Sequence, residues 1–197
     1  NTVTVDFDTS NGTAIADDVL TLGRDDYDAV TSEVTFAPGS VTTTLTVTLN
    51  GDDVFEGNET FNVEITNVVN ADLGTGSVAT VTIVDDEVAP TVCLRGVSVN
   101  EGDAGITTNA TLTLTLSGAS QNAVTVDFAT GDAGVDVAVA GEDYTAIADD
   151  SVVFAAGTTL ATVQVGISGD NVSEGDETFA VNLTGVSADA SLSATTS

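Results

Sequence analysis

Two stretches of this chain carry enough oxygen donors at close spacing to hold a cation. Gly51-Asp52-Asp53-Val54-Phe55-Glu56-Gly57-Asn58-Glu59-Thr60-Phe61 recurs as Gly169-Asp170-Asn171-Val172-Ser173-Glu174-Gly175-Asp176-Glu177-Thr178-Phe179, a period of about 118 residues. Carboxylates clustered with no Lys, Arg or His nearby cannot neutralise one another. At an effective dielectric near 20, two charges about 5 Å apart repel by roughly 3 kcal/mol, so the cluster needs raised pKa values or a cation. Oxygen-only donors with flexible coordination suit Ca²⁺ better than Mg²⁺, which demands stricter octahedral geometry. The absence of His and of paired Cys argues against Zn²⁺ and redox metals. The competing reading is an acidic loop that water alone solvates. Paired carboxylates can also run acid–base chemistry, but no nucleophile or base accompanies these, and an enzyme is not expected.

The charge balance extends this reading to the whole chain. Its 197 residues hold 31 acidic and 2 basic side chains, for a net charge of −29. Nothing here neutralises phosphates, so nucleic acid is excluded as a partner, and an anionic membrane surface repels the chain. Self-repulsion of this size calls for bound cations, a salty solvent, or both. No apolar run approaches the roughly 18 residues of a membrane span, so direct membrane insertion is not expected. Cys93 is the single cysteine, which precludes an intrachain disulfide and reads as a small buried strand residue. Five Asn-x-Ser/Thr sequons, at Asn11, Asn58, Asn109, Asn171 and Asn182, are no more than chance in so Thr-rich a chain.

The elements that position the acids read as strands. Val3, Val5 and Phe7 alternate with Thr4 and Asp6, and 122–128 repeats that pattern nearly letter for letter. A Gly- and Asp-rich connection follows in each copy, ending at Gly23-Arg24-Asp25-Asp26-Tyr27 and Gly141-Glu142-Asp143-Tyr144. Short strands at 34–36 and 152–154 close in turns. Then come LTVTL at 45–49 and VQVGI at 163–167, the acidic loops, and FNVEI at 61–65 and FAVNL at 179–183. The first copy continues with a strand at 78–84 that runs into Asp85-Asp86-Glu87, and the second opens with strands at 97–103 and 110–116.

Lettering seven strands A to G, the chain reads C to G, a linker, then A to F. The expected architecture is all-β: two antiparallel β-sandwiches in tandem, the first lacking its N-terminal strands and the second its C-terminal strand. The units are 1–87 and 93–197, joined by a linker at 88–92 that contains Pro90. The natural protein is expected to continue in both directions, or neighbouring chains to cover the open edges. If strands alternate in direction, the A–B, C–D and E–F connections and the end of G share one tip of the sandwich, which brings sequence-distant acids together.

These residues resemble the Calx-beta domains, known from the regulatory part of sodium/calcium exchangers, from an integrin and from large secreted bacterial proteins. VTVDF followed by a Gly-rich loop ending in G-x-D-Y, VTFAPG, GDDVFEGNETF and ATVTIVDD carry the likeness in copy one. VNEGDAG, NAVTVDFATGD, GEDY and GDNVSEGDETF carry it in copy two. The resemblance implies an immunoglobulin-like sandwich with Ca²⁺ at the tip where the last strand stops. It implies Asp52, Asp53, Glu56, Asp85 and Asp86 as ligands in copy one, and Glu101, Asp132, Asp170 and Glu174 in copy two. Asn11, Gly169 and Asn171 stand where acids are expected, and Glu59 and Glu177 read as loop supports.

The function expected first is a structural or adhesive repeat module of a large extracellular or cell-surface protein or filament, with Ca²⁺ stiffening the interdomain joint. Its partners are then neighbouring repeats of the same or an adjacent chain, or a homopolymer. The alternatives are a calcium-sensing regulatory pair of an exchanger-like membrane protein, and an acidic spacer without metal.

Overall fold

A computed structural model describes residues 1–16 and 25–193. Gly23 and Arg24 of the expected connection, and 194–197, lie outside the described residues. The chain divides into two compact units, Asn1–Glu87 and Val88–Ser197. In the first, the strands are β1 (Val3–Asn11), β2 (Thr31–Phe36), β3 (Val54–Phe55), β4 (Glu59–Val69) and β5 (Val78–Ile83). In the second they are β6 (Thr91–Arg95), β7 (Thr107–Leu116), β8 (Ala119–Ser120), β9 (Val124–Asp132), β10 (Asp150–Phe154), β11 (Leu160–Ser168), β12 (Phe179–Val186) and β13 (Ser191–Leu192). The fold is all-β, of the immunoglobulin-like sandwich type.

Unit 2 shows both layers. One sheet runs β10-β9-β12 and the other β11-β7-β6-β13. Successive side chains of a strand point to opposite faces, so alternate positions of β7 (Ala110, Leu112, Leu114, Leu116) meet Val124, Val126 and Phe128 of β9 and Val163, Val165 and Ile167 of β11 in one core. The first strand of this unit is Thr91–Arg95; 97–103, expected as a strand, is irregular chain. The hydrophobic alternation there is short, whereas Val92, Cys93, Leu94 and Arg95 pair in register with β7. Cys93 is a strand residue but exposed, not buried as expected, because Val92 takes the core-facing position beside it.

Unit 1 forms one sheet, β2-β1-β4-β5. LTVTL at 45–49, expected as a strand, makes a single bridge, from Leu49 to Tyr27. A strand is defined by its neighbour. In unit 2 the equivalent β11 pairs with β7 from Leu160↔Thr115 to Ser168↔Thr107, and among the described residues unit 1 has no counterpart of β7. Val47 still packs against the small core of Phe7, Ala14, Tyr27, Phe61 and Val63.

The two units share details that set the site. Each bulges at one position where β1 meets β4 or β9 meets β12. Asp6 pairs with Asn67 and Phe7 with Ile65, as Asp127 pairs with Gly185 and Phe128 with Leu183, so Thr66 and Thr184 are extra residues that sharpen the local twist. Each also stacks a buried tyrosine on the phenylalanine that follows its acidic loop. Tyr27 lies 4.1 Å from Phe61 at 15°, and Tyr144 lies 4.3 Å from Phe179 at 13°.

Phe61 is 1% exposed in a core of few residues. Phe61→Ala is expected to cost about 3–5 kcal/mol, moving the urea transition of unit 1 to lower denaturant and leaving that of unit 2 in place.

Candidate metal centre

The aspartate before each buried tyrosine is fixed by backbone on two sides. In unit 1, Gly12 passes so close to β4 that a Cβ there would lie 2.3 Å from the Thr60 carbonyl oxygen. This close approach lets Ala14 N–H donate to Thr60 O at 2.9 Å. The next amide, Ile15 N–H, donates to Asp26 Oδ2 at 2.7 Å. Unit 2 repeats the arrangement: Ala138 N–H donates to Thr178 O, and Val139 N–H donates to Asp143 Oδ2. On the other side, Asn50 N–H donates to Asp26 O and Ser168 N–H to Asp143 O. One carboxylate oxygen of each aspartate is thereby held by a backbone amide.

That loop supplies two glutamates. Oxygens of Asp26, Glu56 and Glu59 lie within 4.8 Å of one another, and so do those of Asp143, Glu174 and Glu177. Glu59 opens β4 and pairs with Ile83 of β5, so it is as buried as Asp26. Glu177 has no such neighbour among the described residues, and it and Glu174 are exposed.

In unit 1 the segment after β5 closes the site. Asp85 Oδ2 accepts from Gly57 N–H at 2.6 Å and from Glu56 N–H at 3.2 Å, and Asp85 N–H donates to Asn58 Oδ1. The resulting cavity, about 210 Å³, is lined by Asp26, Asp52, Glu56, Glu59, Asp85 and Asp86, with other residues of the same loops.

The structure thus brings Asp52, Glu56, Asp85 and Asp86 to one place, as the strand-direction reasoning expects. Asp53 is exposed and does not line the cavity. Asp52 Oδ1 accepts from Val54 N–H, and Asp170 Oδ1 from Val172 N–H, so each folds its own loop. Glu101 and Glu174 line a groove of unit 2 with Asp143 and Glu177. Asp132 ends β9, paired with Phe179, exposed and outside that groove.

Asn11, read as a lost acid, accepts at Oδ1 from Tyr27 O–H at 2.7 Å and from Ala16 N–H at 3.0 Å. It braces the loop that holds Asp26. Asp26 and Asp143 were not among the expected ligands, and Glu59 and Glu177 were read as supports. The signal for all four was their recurrence at matched places in both copies.

The donor set fits a hard cation: three carboxylates from two loops, all oxygen, two of them buried in unit 1. At 4.8 Å and an effective dielectric near 20, each pair of charges repels by about 3 kcal/mol. A cation bound there supplies the positive charge that cancels this repulsion and ties the two loops together.

Desolvation, hydrogen bonding and neighbouring charge together shift the titration of several of these acids. Glu174 is exposed, yet partial desolvation by the surrounding loop, followed by the charges of Asp170 and Asp143, pushes it above the usual carboxylate range. Partial desolvation, then the charge of Asp143 and a hydrogen bond with it, do the same to the equally exposed Glu177. Glu87 is raised first by its hydrogen bond to Asp85 and then by desolvation. Desolvation is the largest single influence on Asp85 and raises it, but the combined hydrogen bonds from Gly57, Glu87 and Glu56 outweigh it and hold Asp85 low.

The Calx-beta domain family matches residues 1–87 and 95–196. The chain belongs to the Calx-beta domain family. Over 105 residues, covering 44% of this chain, it is 36% identical to sodium/calcium exchanger 1 of Canis lupus familiaris and, equally, of Bos taurus. The match spans 10% of the length of those relatives. Among solved structures, CBD12 from CALX1.2 is 23% identical, with a TM-score of 0.40, over 94% of this chain and 68% of that one. The calcium binding domain CBD12 of CALX1.1 is 22% identical, with the same TM-score, over 93% and 66%.

The exchanger relatives overturn the reading expected first. A structural or adhesive module of an extracellular filament, with calcium stiffening its joint, finds no support among Calx-beta relatives that are ion exchangers, and the labels extracellular, adhesion and filament fall with it.

A carboxyl whose folded-state pKa is raised binds its proton more tightly folded than unfolded. Its contribution to stability is therefore present below the ordinary 4.5 and is lost as pH rises through the raised value. Asp85 runs the other way, contributing above 3.8 and losing that contribution as pH falls through its lowered value. Without divalent ions, the melting temperature is expected to rise as pH falls from 7 toward 4.5 and to turn down below 3.8. A flat or falling profile between 7 and 4.5 contradicts the clustering.

Proposed function

We propose that this Calx-beta pair is a calcium-sensing regulatory segment of an exchanger-like membrane protein. Its ligand is Ca²⁺, bound in unit 1 by Asp26, Glu56 and Glu59 with Asp85 and Asp86 beside them, and in unit 2 by Asp143, Glu174 and Glu177 with Glu101. The observation that carries the reading is the recurrence of one Asp–Glu–Glu group, held by the same backbone bonds, in both repeats of a chain related to ion exchangers. Flexible all-oxygen coordination favours Ca²⁺ over Mg²⁺. The role is binding and signalling, not catalysis, and it operates at the membrane where such a transporter sits.

The physical output is a change in loop freedom. Without the ion, the loop at 51–58 is held to the rest of unit 1 by Asp85 against the repulsion of its own acids. With the ion, Asp26 and the two glutamates share one counter-charge, and the loop, the segment that carries Asp26 and the end of β5 become one rigid tip. A transporter coupled to that tip senses calcium as rigidity.

Calcium that binds the folded form raises its stability by mass action, by about 2.7 kcal/mol at one hundred times the dissociation constant. Titrating Ca²⁺ while following thermal unfolding is expected to raise the melting temperature, with Mg²⁺ much weaker. Asp26→Asn with Glu59→Gln is expected to abolish the response of unit 1 and spare that of unit 2. No shift at millimolar Ca²⁺ leaves the acidic spacer as the correct reading.

A further inference from the structure

Gly169 stands where an acid was expected, and the structure gives the reason. It is buried directly after β11, and a Cβ on it would lie 2.6 Å from Asp103 O and 2.8 Å from Gly102 O. Side chains essentially never approach backbone oxygens so closely, so any residue but glycine displaces the 101–106 loop. The approach is tied on both sides: Gly169 N–H donates to Ile106 O at 2.9 Å, and Gly105 N–H donates to Gly169 O at 3.0 Å.

Two loop residues thus oppose one, a bulge that carries the β7–β11 ladder past its last pair, Ser168↔Thr107. Within the loop, Ile106 N–H donates to Asp103 O at 3.0 Å across a turn in which Gly105 has φ +76°. Thr108 Oγ1–H donates to Glu101 O at 3.0 Å. The loop is anchored at both ends, and Glu101 is set on the wall of the groove that Asp143, Glu174 and Glu177 also line. Gly51, the counterpart of Gly169 in unit 1, is exposed with nothing within 4 Å of a Cβ.

We infer that Gly169 is a positioning residue: its missing side chain admits a backbone clasp that delivers the Glu101 carboxylate to the acid group of unit 2. The inference rests on the calcium reading above and adds to it a trade between donors. An acid at 169 would offer one oxygen ligand directly and lose Glu101; glycine gives up that ligand and gains Glu101 from another loop. At Gly51 no such trade exists, so the same substitution separates clasp from composition.

The test uses the full chain in a Tyr27→Phe background, which leaves Tyr144 as the remaining tyrosine to sensitise emission from bound Tb³⁺, the calcium surrogate. Hydrogen exchange of the Gly105 and Gly169 amides, measured without metal, reads the clasp itself. Gly169→Ala is expected to lose protection at Gly105 and to weaken Tb³⁺ binding about tenfold, the scale of an outer-shell loss. Gly51→Ala, its control, is expected to change neither. Glu101→Gln is expected to weaken binding to the same degree, and adding Gly169→Ala to it to change nothing further.

Protection and affinity unchanged in Gly169→Ala overturn the inference. So does unchanged affinity in Glu101→Gln, whether or not Gly169→Ala folds. Exchange that shows the clasp in a parent chain with no Tyr144-sensitised emission overturns the calcium reading instead, and with it the delivery of Glu101 as a ligand.

Discussion

Like charges forced together, in a chain that has two basic residues and no histidine to answer them, are the constraint on which this molecule turns. The carboxylates of Asp26, Glu56 and Glu59 come within 4.8 Å because backbone geometry leaves them little freedom to part. Asp26 is gripped by the Ile15 amide and by Asn50, and Glu59 is fixed by its place at the start of β4, beside Ile83. The fold holds the repulsion in place instead of relaxing it, which makes a divalent ion the natural complement of the tip.

The two repeats answer the same constraint with different surroundings. In unit 1 the end of β5 folds back, and Asp85 takes the Glu56 and Gly57 amides, so the acid group is covered on one side. In unit 2 both glutamates of the acid group are exposed, and the 101–106 loop pinned at Gly169 lines the same groove through Glu101. Desolvation and the neighbouring acids then raise Glu174 and Glu177 together. The shared parts are the grips on the aspartate and the Tyr–Phe stack beneath it; they form the scaffold, and the cover varies.

Much of this was legible in the residues. Period-two alternation located β1, β4, β5, β9, β11 and β12, and counting strand ends placed Asp85 beside the loop of Glu56. The segment 45–49 was read as a strand because its letters are strand letters, but a ladder needs a partner and unit 1 shows one bridge there. Asp52 and Asp170 looked like ligands because they open the acidic loops, yet a short carboxylate two residues before an amide folds its own turn first. Asp132 was chosen because it ends its strand; it pairs with Phe179 there, but it is exposed and outside the groove that Asp143 lines. Asp26 and Asp143 sit outside the acidic loops, at the far end of the Gly- and Asp-rich connections, and what fixes them is backbone bonding to sequence-distant amides that no spacing in the sequence reveals.

The central claim is that an ion sits among Asp26, Glu56 and Glu59. Anomalous diffraction from crystals grown with Ca²⁺ or Tb³⁺ tests it most directly. The account expects a peak about 2.3–2.6 Å from oxygens of all three side chains. A peak confined to the exposed Asp52–Asp53 turn, or none in crystals that diffract well, contradicts it.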